Sequence, residues 1–275
     1  MEEGVFMVRV AAQAERYEDA VDLLTKALQL SQKDASPEVV GMEQELLCLC
    51  HKYKLLKPYF YKDSSNFLPF VPQIYTELLS ATFKDFISSE RSAWKTVKAI
   101  EQNKKYAEYA PDLAEYKDKL SLELDHKCRQ VIDIIQEHCL SKATTDDSEG
   151  SCTSKVFYLK LVGDNYRYIA ETASGPRRDK AIEKADSFYR QATDFSKALH
   201  RYNSSRLGCG LNYSVFWYEI MEDKSKALQI AEEALEERRE YICQDDSDEV
   251  RDSLPILELL RENIDIWKEG EDSLY

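Results

Sequence analysis

Lys84 and Arg91 stand seven residues apart in the run Phe83-Lys84-Asp85-Phe86-Ile87-Ser88-Ser89-Glu90-Arg91-Ser92-Ala93-Trp94-Lys95. At 3.6 residues per turn this spacing is nearly two turns of helix, which sets both cations on one face about 10 Å apart along the axis. A second run, Lys155-Val156-Phe157-Tyr158-Leu159-Lys160-Leu161-Val162-Gly163-Asp164-Asn165-Tyr166-Arg167-Tyr168, sets a guanidinium beside a phenol, with Asp164 nearly one turn back where it can orient Arg167. Two guanidinium groups, an ammonium and a phenol from two helices suit a phosphate dianion, because guanidinium binds it bidentately and charge-assisted hydrogen bonds are strong. Taken singly, each of these residues reads as a solvated helix charge.

Other reactive residues form weaker patterns. Cys48-Leu49-Cys50-His51 gathers soft ligands, but Cys-x-Cys on a helix points its thiols to different faces and no second cluster completes four ligands, so no metal site is expected. His126-Lys127-Cys128 and His138-Cys139 are too close in sequence to face each other on a helix, so neither reads as a thiol–base dyad. The chain has no phosphate-binding glycine loop and no His-Glu-x-x-His. No catalytic residue, metal or cofactor is therefore expected, and the chain does not read as an enzyme.

The elements that must position these residues are helices. Gly (8) and Pro (7) are scarce among 275 residues, which argues against a many-stranded β protein. Apolar residues recur at three and four almost throughout, as in Ala20, Leu23, Leu24 and Ala27 or Ala227, Ile230, Ala234 and Leu235. Breaks are predicted at 32–38, 55–72, Ala110-Pro111, Thr144 to Thr153, Ser174-Gly175-Pro176, Tyr202 to Ser205 and Gln244 to Asp252. Short connections between helix-length segments give an all-α fold in a single domain over 1–275. The stretch 55–72 holds three prolines and many aromatics, which predicts an ordered, irregular insertion around 36–72. A short acidic tail is expected over 268–275.

Charge narrows the partners. Lys+Arg 37 against Asp+Glu 51 gives a net charge of −14, which repels polyphosphates at long range, so neither nucleic acid nor an anionic lipid surface is an expected partner. No apolar run approaches the ~18 residues that span a membrane, and Met1-Glu2-Glu3-Gly4 does not open a signal peptide. Seven cysteines without a paired framework suit a reducing compartment, the cytoplasm, with the nucleus also open.

Further pieces then add up: Ala11-Ala12-Gln13-Ala14-Glu15-Arg16-Tyr17, Arg206-Leu207-Gly208-Cys209-Gly210-Leu211-Asn212-Tyr213-Ser214-Val215-Phe216-Trp217-Tyr218-Glu219-Ile220, and Leu259-Leu260-Arg261-Glu262-Asn263-Ile264-Asp265-Ile266-Trp267. Together with the two cationic runs, in this order over nearly the whole chain, they resemble the 14-3-3 family of phosphoserine- and phosphothreonine-binding adaptors. The resemblance implies about nine antiparallel helices in a cup-shaped protomer with an amphipathic groove. It assigns Lys84, Arg91, Arg167 and Tyr168 to the phosphate, Asn212 and Asn263 to the backbone of a bound peptide, and Lys160, Glu219 and Trp267 to the groove. Leu211 with Val215, and Ile256 with Leu259 and Ile266, each share a helical face; alone they read as core, and within the resemblance as the groove's apolar side.

The resemblance also implies phosphorylated client proteins as partners and a homodimer, with heterodimers with other members allowed. Val10, Ala14, Thr96, Val97, Ile100 and Tyr116 would meet across the dimer, with Arg16 paired to Glu123 and Asp19 to Lys119. Departures stand out as well. Ala93 replaces a serine whose phosphorylation loosens many family dimers, and Pro255 replaces an apolar groove residue, which is tolerable near a helix start with Ser253 as cap. Ser273 could place a phosphate in a groove. A second reading stays open, because the segments starting at 17, 179 and 223 share a tetratricopeptide-like pattern, although spacings of 162 and 44 give no fixed period. That reading is a helical scaffold binding unmodified peptides.

Overall fold

The computed structural model of the chain describes Glu18, Asp19, Val21, Asp22 and Thr25, and then residues 71–142, 149–236 and 248–272. Among the described residues all regular structure is helical, as the apolar periodicity predicts. The residues described between 18 and 25 are helical, and Thr25 Oγ1 donates to the Val21 carbonyl at 2.8 Å. Seven helices follow: α1 (Val71–Glu101), α2 (Ala110–His138), α3 (Glu149–Thr172), α4 (Gly175–Ser196), α5 (Ser204–Glu219), α6 (Lys224–Glu236) and α7 (Asp248–Asp272). Contacts divide the chain into two compact units, Met1–Ala93 and Trp94–Tyr275.

In the first unit, α1 buries Thr82, Phe83, Phe86 and Ile87 and exposes Lys84, Asp85, Ser88 and Ser89. That is the amphipathic pattern of a helix with one packed face.

The second unit is built around α3. Ala173 and Ser174 alone separate α3 from α4, and a connection this short folds the two helices into an antiparallel pair, the most extensive packing in the unit. Gly163 permits that approach, since a Cβ there would stand 3.1 Å from the Tyr189 ring. Gly210 does the same between α5 and α6, where a Cβ would fall 2.9 Å from that of Ala234. α2 lays Leu120, Leu124, Cys128, Val131 and Ile135 into the core, so Cys128 serves packing while His126 is exposed. Lys95, in the C-terminal part of α1, pairs with Glu171 of α3 at 3.1 Å. A separate core joins Leu207 of α5, Ala227 and Ala231 of α6, and Leu257, Leu260, Ile264 and Trp267 of α7.

Local chemistry sets the boundaries. Asn203 caps α5 by accepting from the N–H groups of Ser205 and Arg206 at 3.0 and 3.3 Å, which satisfies two of the donors a helix start leaves unpaired. α2 and α4 each open with proline in the first turn, where its missing N–H costs nothing. The breaks predicted at Ala110-Pro111, Ser174-Gly175-Pro176 and Tyr202 to Ser205 fall at such starts.

Four boundaries differ from the sequence expectation. Val71 and Pro72, assigned to the insertion, form the first turn of α1. Glu149 to Thr153 belong to α3, because a polar composition does not prevent a helix whose later turns are packed. α7 begins at Asp248, so Pro255 lies inside it rather than near its start. Ser253 is then no cap: it is buried and its hydroxyl donates to the Val250 carbonyl at 2.7 Å. Proline is accommodated there on an exposed face, where water can reach the carbonyl it fails to bond. The tail expected from residue 268 is helical as far as Asp272. The break at 32–38, most of the 36–72 insertion, Cys48-Leu49-Cys50-His51 and Ser273 lie outside the described residues.

The α5–α6 turn contains a non-glycine residue with positive φ, Glu222 at 56°. Glu222→Gly removes that backbone strain and is expected to stabilise the fold by about 0.5–1 kcal/mol, read as a higher midpoint in urea. An unchanged or lower midpoint would contradict the strain.

Candidate functional site

Lys160, Asp164 and Arg167 occupy one face of α3, four and three residues apart. Asp164 is at the centre and 3% exposed. Its Oδ2 accepts from Lys160 Nζ at 3.0 Å, and its Oδ1 accepts from the Tyr189 hydroxyl of α4 at 2.6 Å. Asn212 of α5 donates its Nδ2 to both oxygens, at 2.8 and 3.0 Å. Three helices thus converge on one carboxylate, and Asn212 is left with its amide oxygen turned away from it.

Arg167 is held by the same group of residues. Its Nε donates to the Tyr189 hydroxyl at 3.3 Å, while Nη2 stands 3.9 Å from Asp164 Oδ1 and Nη1 3.6 Å from Glu219 Oε2. The guanidinium carbon lies 4.7 Å from the centre of the Tyr168 ring, an additional cation–π anchor. The residue is 6% exposed.

Burial by itself would neutralise these groups, but each is outweighed by its neighbours. Burial pushes Asp164 up, yet Lys160, Arg167 and the Tyr189 hydroxyl bring it below the ordinary carboxylate value. Burial pushes Lys160 down, and Asp164 returns it to above its usual value. Arg167 is likewise raised, its desolvation exceeded by Tyr189, Tyr168 and Asp164. A carboxyl with a depressed value stabilises the fold above about pH 4 and loses that contribution as pH falls further; a raised lysine contributes below about pH 10 and is lost above it. Between those limits the cluster keeps its charges. Burial also raises the Cys209 thiol nearby, to about 11, which leaves it protonated and poorly nucleophilic.

α5 packs on both α3 and α7. It carries Leu211 and Val215, half-buried against the α5–α6–α7 core, along with Asn212 and Glu219. On α7, Leu259 is 48% and Ile266 62% exposed, while Ile256 and Asn263 are half-buried. Trp267, expected on the groove, is 4% exposed and stacks on Tyr218 at 4.6 Å, so nearly all of it is core. α5 therefore packs on the helix that carries the charged residues, α3, and on the helix that carries the exposed apolar ones, α7.

The structure brings Lys160, Arg167, Tyr168, Asn212 and Glu219 into one network. Lys84 is exposed and Arg91 half-buried on α1 in the first unit. Of the residues expected at a dimer contact, Val97 is buried, Asp19 is half-buried, and Thr96, Ile100 and Tyr116 are exposed. Lys119 and Glu123, expected to pair with Asp19 and Arg16 of a second protomer, here lie 3.9 Å from each other along α2. Val10, Ala14 and Arg16 lie outside the described residues. Among the described residues no group of three or more metal-ligating side chains is placed to hold an ion.

No motif or spacing in the sequence marks Tyr189 as a site residue. It sits with Ala181, Ala185 and Ala192 on the buried stripe of α4 and reads as core; the one signal is a tyrosine among alanines, whose hydroxyl needs a partner when buried. Tyr189→Phe leaves Arg167 Nε without its acceptor and Asp164 short of a donor. It is expected to destabilise the fold by about 1–3 kcal/mol in denaturant titration, and a cost near zero would show that the hydroxyl does not organise the cluster.

Comparison with known proteins identifies the architecture. The family model described as 14-3-3 protein matches residues 73–268. The 14-3-3-like protein 2 of Caenorhabditis elegans is 37% identical over 192 residues, 69% of this chain and 75% of the relative. The 14-3-3 protein 6 of Solanum lycopersicum is 30% identical over 270 residues, 97% of this chain and 89% of the relative, and the 14-3-3-like protein 1 of Caenorhabditis elegans is 31% identical over 269 residues, 97% and 91% of the two chains. A match of this extent, on an all-helical chain that gathers Lys160, Arg167, Tyr168, Asn212 and Glu219, shows that the protein belongs to the 14-3-3 family.

Proposed function

We propose that this chain is a phosphoserine- and phosphothreonine-dependent adaptor, which holds phosphorylated segments of client proteins in a groove and so modulates their activity, location or assembly. The state of Arg167 carries the reading. Its Nε is bonded to Tyr189, but Nη1 and Nη2 are 3.6 and 3.9 Å from their carboxylates, beyond hydrogen-bond distance. Among the described residues the planar edge of the guanidinium therefore has attraction without bonds, the condition in which a phosphate can take it bidentately. Tyr168 adds a hydroxyl, and Lys84 and Arg91 supply the remaining positive charge in the arrangement that family membership suggests.

Asn212, through the amide oxygen it turns away from Asp164, and Asn263, whose carboxamide both donates and accepts, hold the extended peptide backbone. Leu211, Val215, Ile256, Leu259 and Ile266 pack on peptide side chains, with Lys160, Glu219 and the edge of Trp267 at the polar side. The protein acts by binding rather than catalysis, in the cytoplasm, with the nucleus also open. It works as a homodimer, able to exchange with other family members, through Val10, Ala14, Arg16 and Asp19 of one protomer against Thr96, Val97, Ile100, Tyr116, Lys119 and Glu123 of the other. Exposed Ile100 and Tyr116 support this, because apolar side chains left in water gain from a partner.

Fluorescence anisotropy with matched Arg-x-x-Ser-x-Pro peptides tests the binding. Wild type is expected to bind only the phosphorylated form, and Lys84→Glu or Arg167→Ala to lose at least about tenfold in affinity, 1.4 kcal/mol; equal binding of both peptides would instead indicate a phosphate-independent scaffold. Affinity is expected to fall as pH drops through about 6, where phosphate loses its second charge. Lys160 and Arg167 stay protonated and Asp164 ionised over that range, because the first two are raised and the last is depressed. A profile flat from pH 7 to 5 would contradict dianion recognition. Light scattering is expected at twice the monomer mass, and the monomer mass would refute the dimer.

A further inference from the structure

Residues 195–218 contain no Asp or Glu, in a chain that has 51 of them, and they carry Lys197, Arg201 and Arg206. Ser204 lies within this stretch, three residues after Arg201 and exposed, as the first residue of α5. The helix does not use its hydroxyl: Asn203 is the cap, accepting from the N–H groups of Ser205 and Arg206. Arg206 is drawn back over the preceding turn by a 2.9 Å bond from Nη1 to the Leu199 carbonyl. Ser204 also shares a helix face with Gly208, Leu211 and Val215, which follow it by steps of four, three and four. Gly208 in turn borders Lys160, whose side chain would lie 3.9 Å from a Cβ at that position.

We propose that Ser204 is a phosphorylation site, modified by a protein kinase that requires arginine three residues before its serine, and that the phosphate closes one end of the groove; this second half rests on the function proposed above. The γ-phosphoryl group of ATP passes to Ser204 Oγ. The bond from the γ-phosphorus to the β–γ bridging oxygen breaks, the Oγ–P bond forms, ADP leaves, and the hydroxyl proton goes to the kinase base. Access requires only the first turn of α5 to open, and terminal turns are the parts of a helix that open most readily.

The product is a dianion flanked in sequence by Arg201 and Arg206, in a region without carboxylates on its own segment. It gains further from its place in the first turn of a sixteen-residue helix. Gly208 is about 6 Å farther along the axis, so the new phosphate competes with Asp164 for Lys160 and repels the dianion that a client peptide brings.

The test is to treat the full chain with a purified kinase selective for arginine at that position and Mg-ATP, and to map the phosphate by mass spectrometry. One phosphate is expected on Ser204, lost in Ser204→Ala and formed at least tenfold more slowly in Arg201→Gln. The modified protein is expected to melt higher and to bind phosphopeptide at least tenfold more weakly. No incorporation into the folded chain, while an isolated peptide of residues 197–210 is phosphorylated, would overturn the site, as would modification elsewhere only. Modification at Ser204 with unchanged peptide affinity would overturn the regulatory half. If unmodified wild type binds no phosphopeptide, the adaptor reading fails by itself and the mass map still decides the site.

Discussion

Asp164 is the constraint on which the second unit depends. A carboxylate 3% exposed would cost several kcal/mol if left without partners, and donors on three helices remove that cost. Lys160 comes from its own helix, Tyr189 from α4 and Asn212 from α5, so satisfying this one side chain fixes how α3, α4 and α5 meet. Arg167 is positioned as a consequence, because the Tyr189 hydroxyl that donates to Asp164 also accepts from Arg167 Nε.

A network of this sort is strict about distance. Hydrogen bonds weaken steeply when stretched, so α3 and α4 must lie close enough for a tyrosine on one to reach a carboxylate on the other. Gly163 makes room for that tyrosine, whose ring stacks at 5.4 Å on Tyr213 and is tilted against Phe216 at 5.7 Å. The aromatic packing holds the ring, the ring places the hydroxyl, and the hydroxyl orients both charges. The geometry of the charges is thus set by buried packing as much as by their own attraction.

α7 shows the complementary situation. Leu257, Leu260, Ile264 and Trp267 form one stripe and are buried, while Ile256, Leu259, Asn263 and Ile266 form another, one residue out of phase, and remain partly or largely exposed. A helix that is apolar on two adjacent faces can pack only one of them within its own unit. The second is left against water, and Pro255 is exposed as well, where its missing N–H does least harm.

Periodicity, the scarcity of glycine and proline, and the breaks at Tyr202 to Ser205 and Ser174-Gly175-Pro176 act locally, and so the helical character of the fold and the starts of several helices were legible in the sequence alone. It also placed Lys160, Asp164 and Arg167 on one face, since three residues on one helix are related by its pitch alone. The role of Tyr189 was not legible, because its partners lie 22 and 25 residues away and nothing local marks a tyrosine as donor to a carboxylate on another helix. Nor could the sequence choose between the two stripes of α7 or show Trp267 as core, since both stripes have the same period and differ only in which neighbours cover them. Those choices belong to tertiary structure, where burial depends on contacts between distant segments that no local pattern encodes.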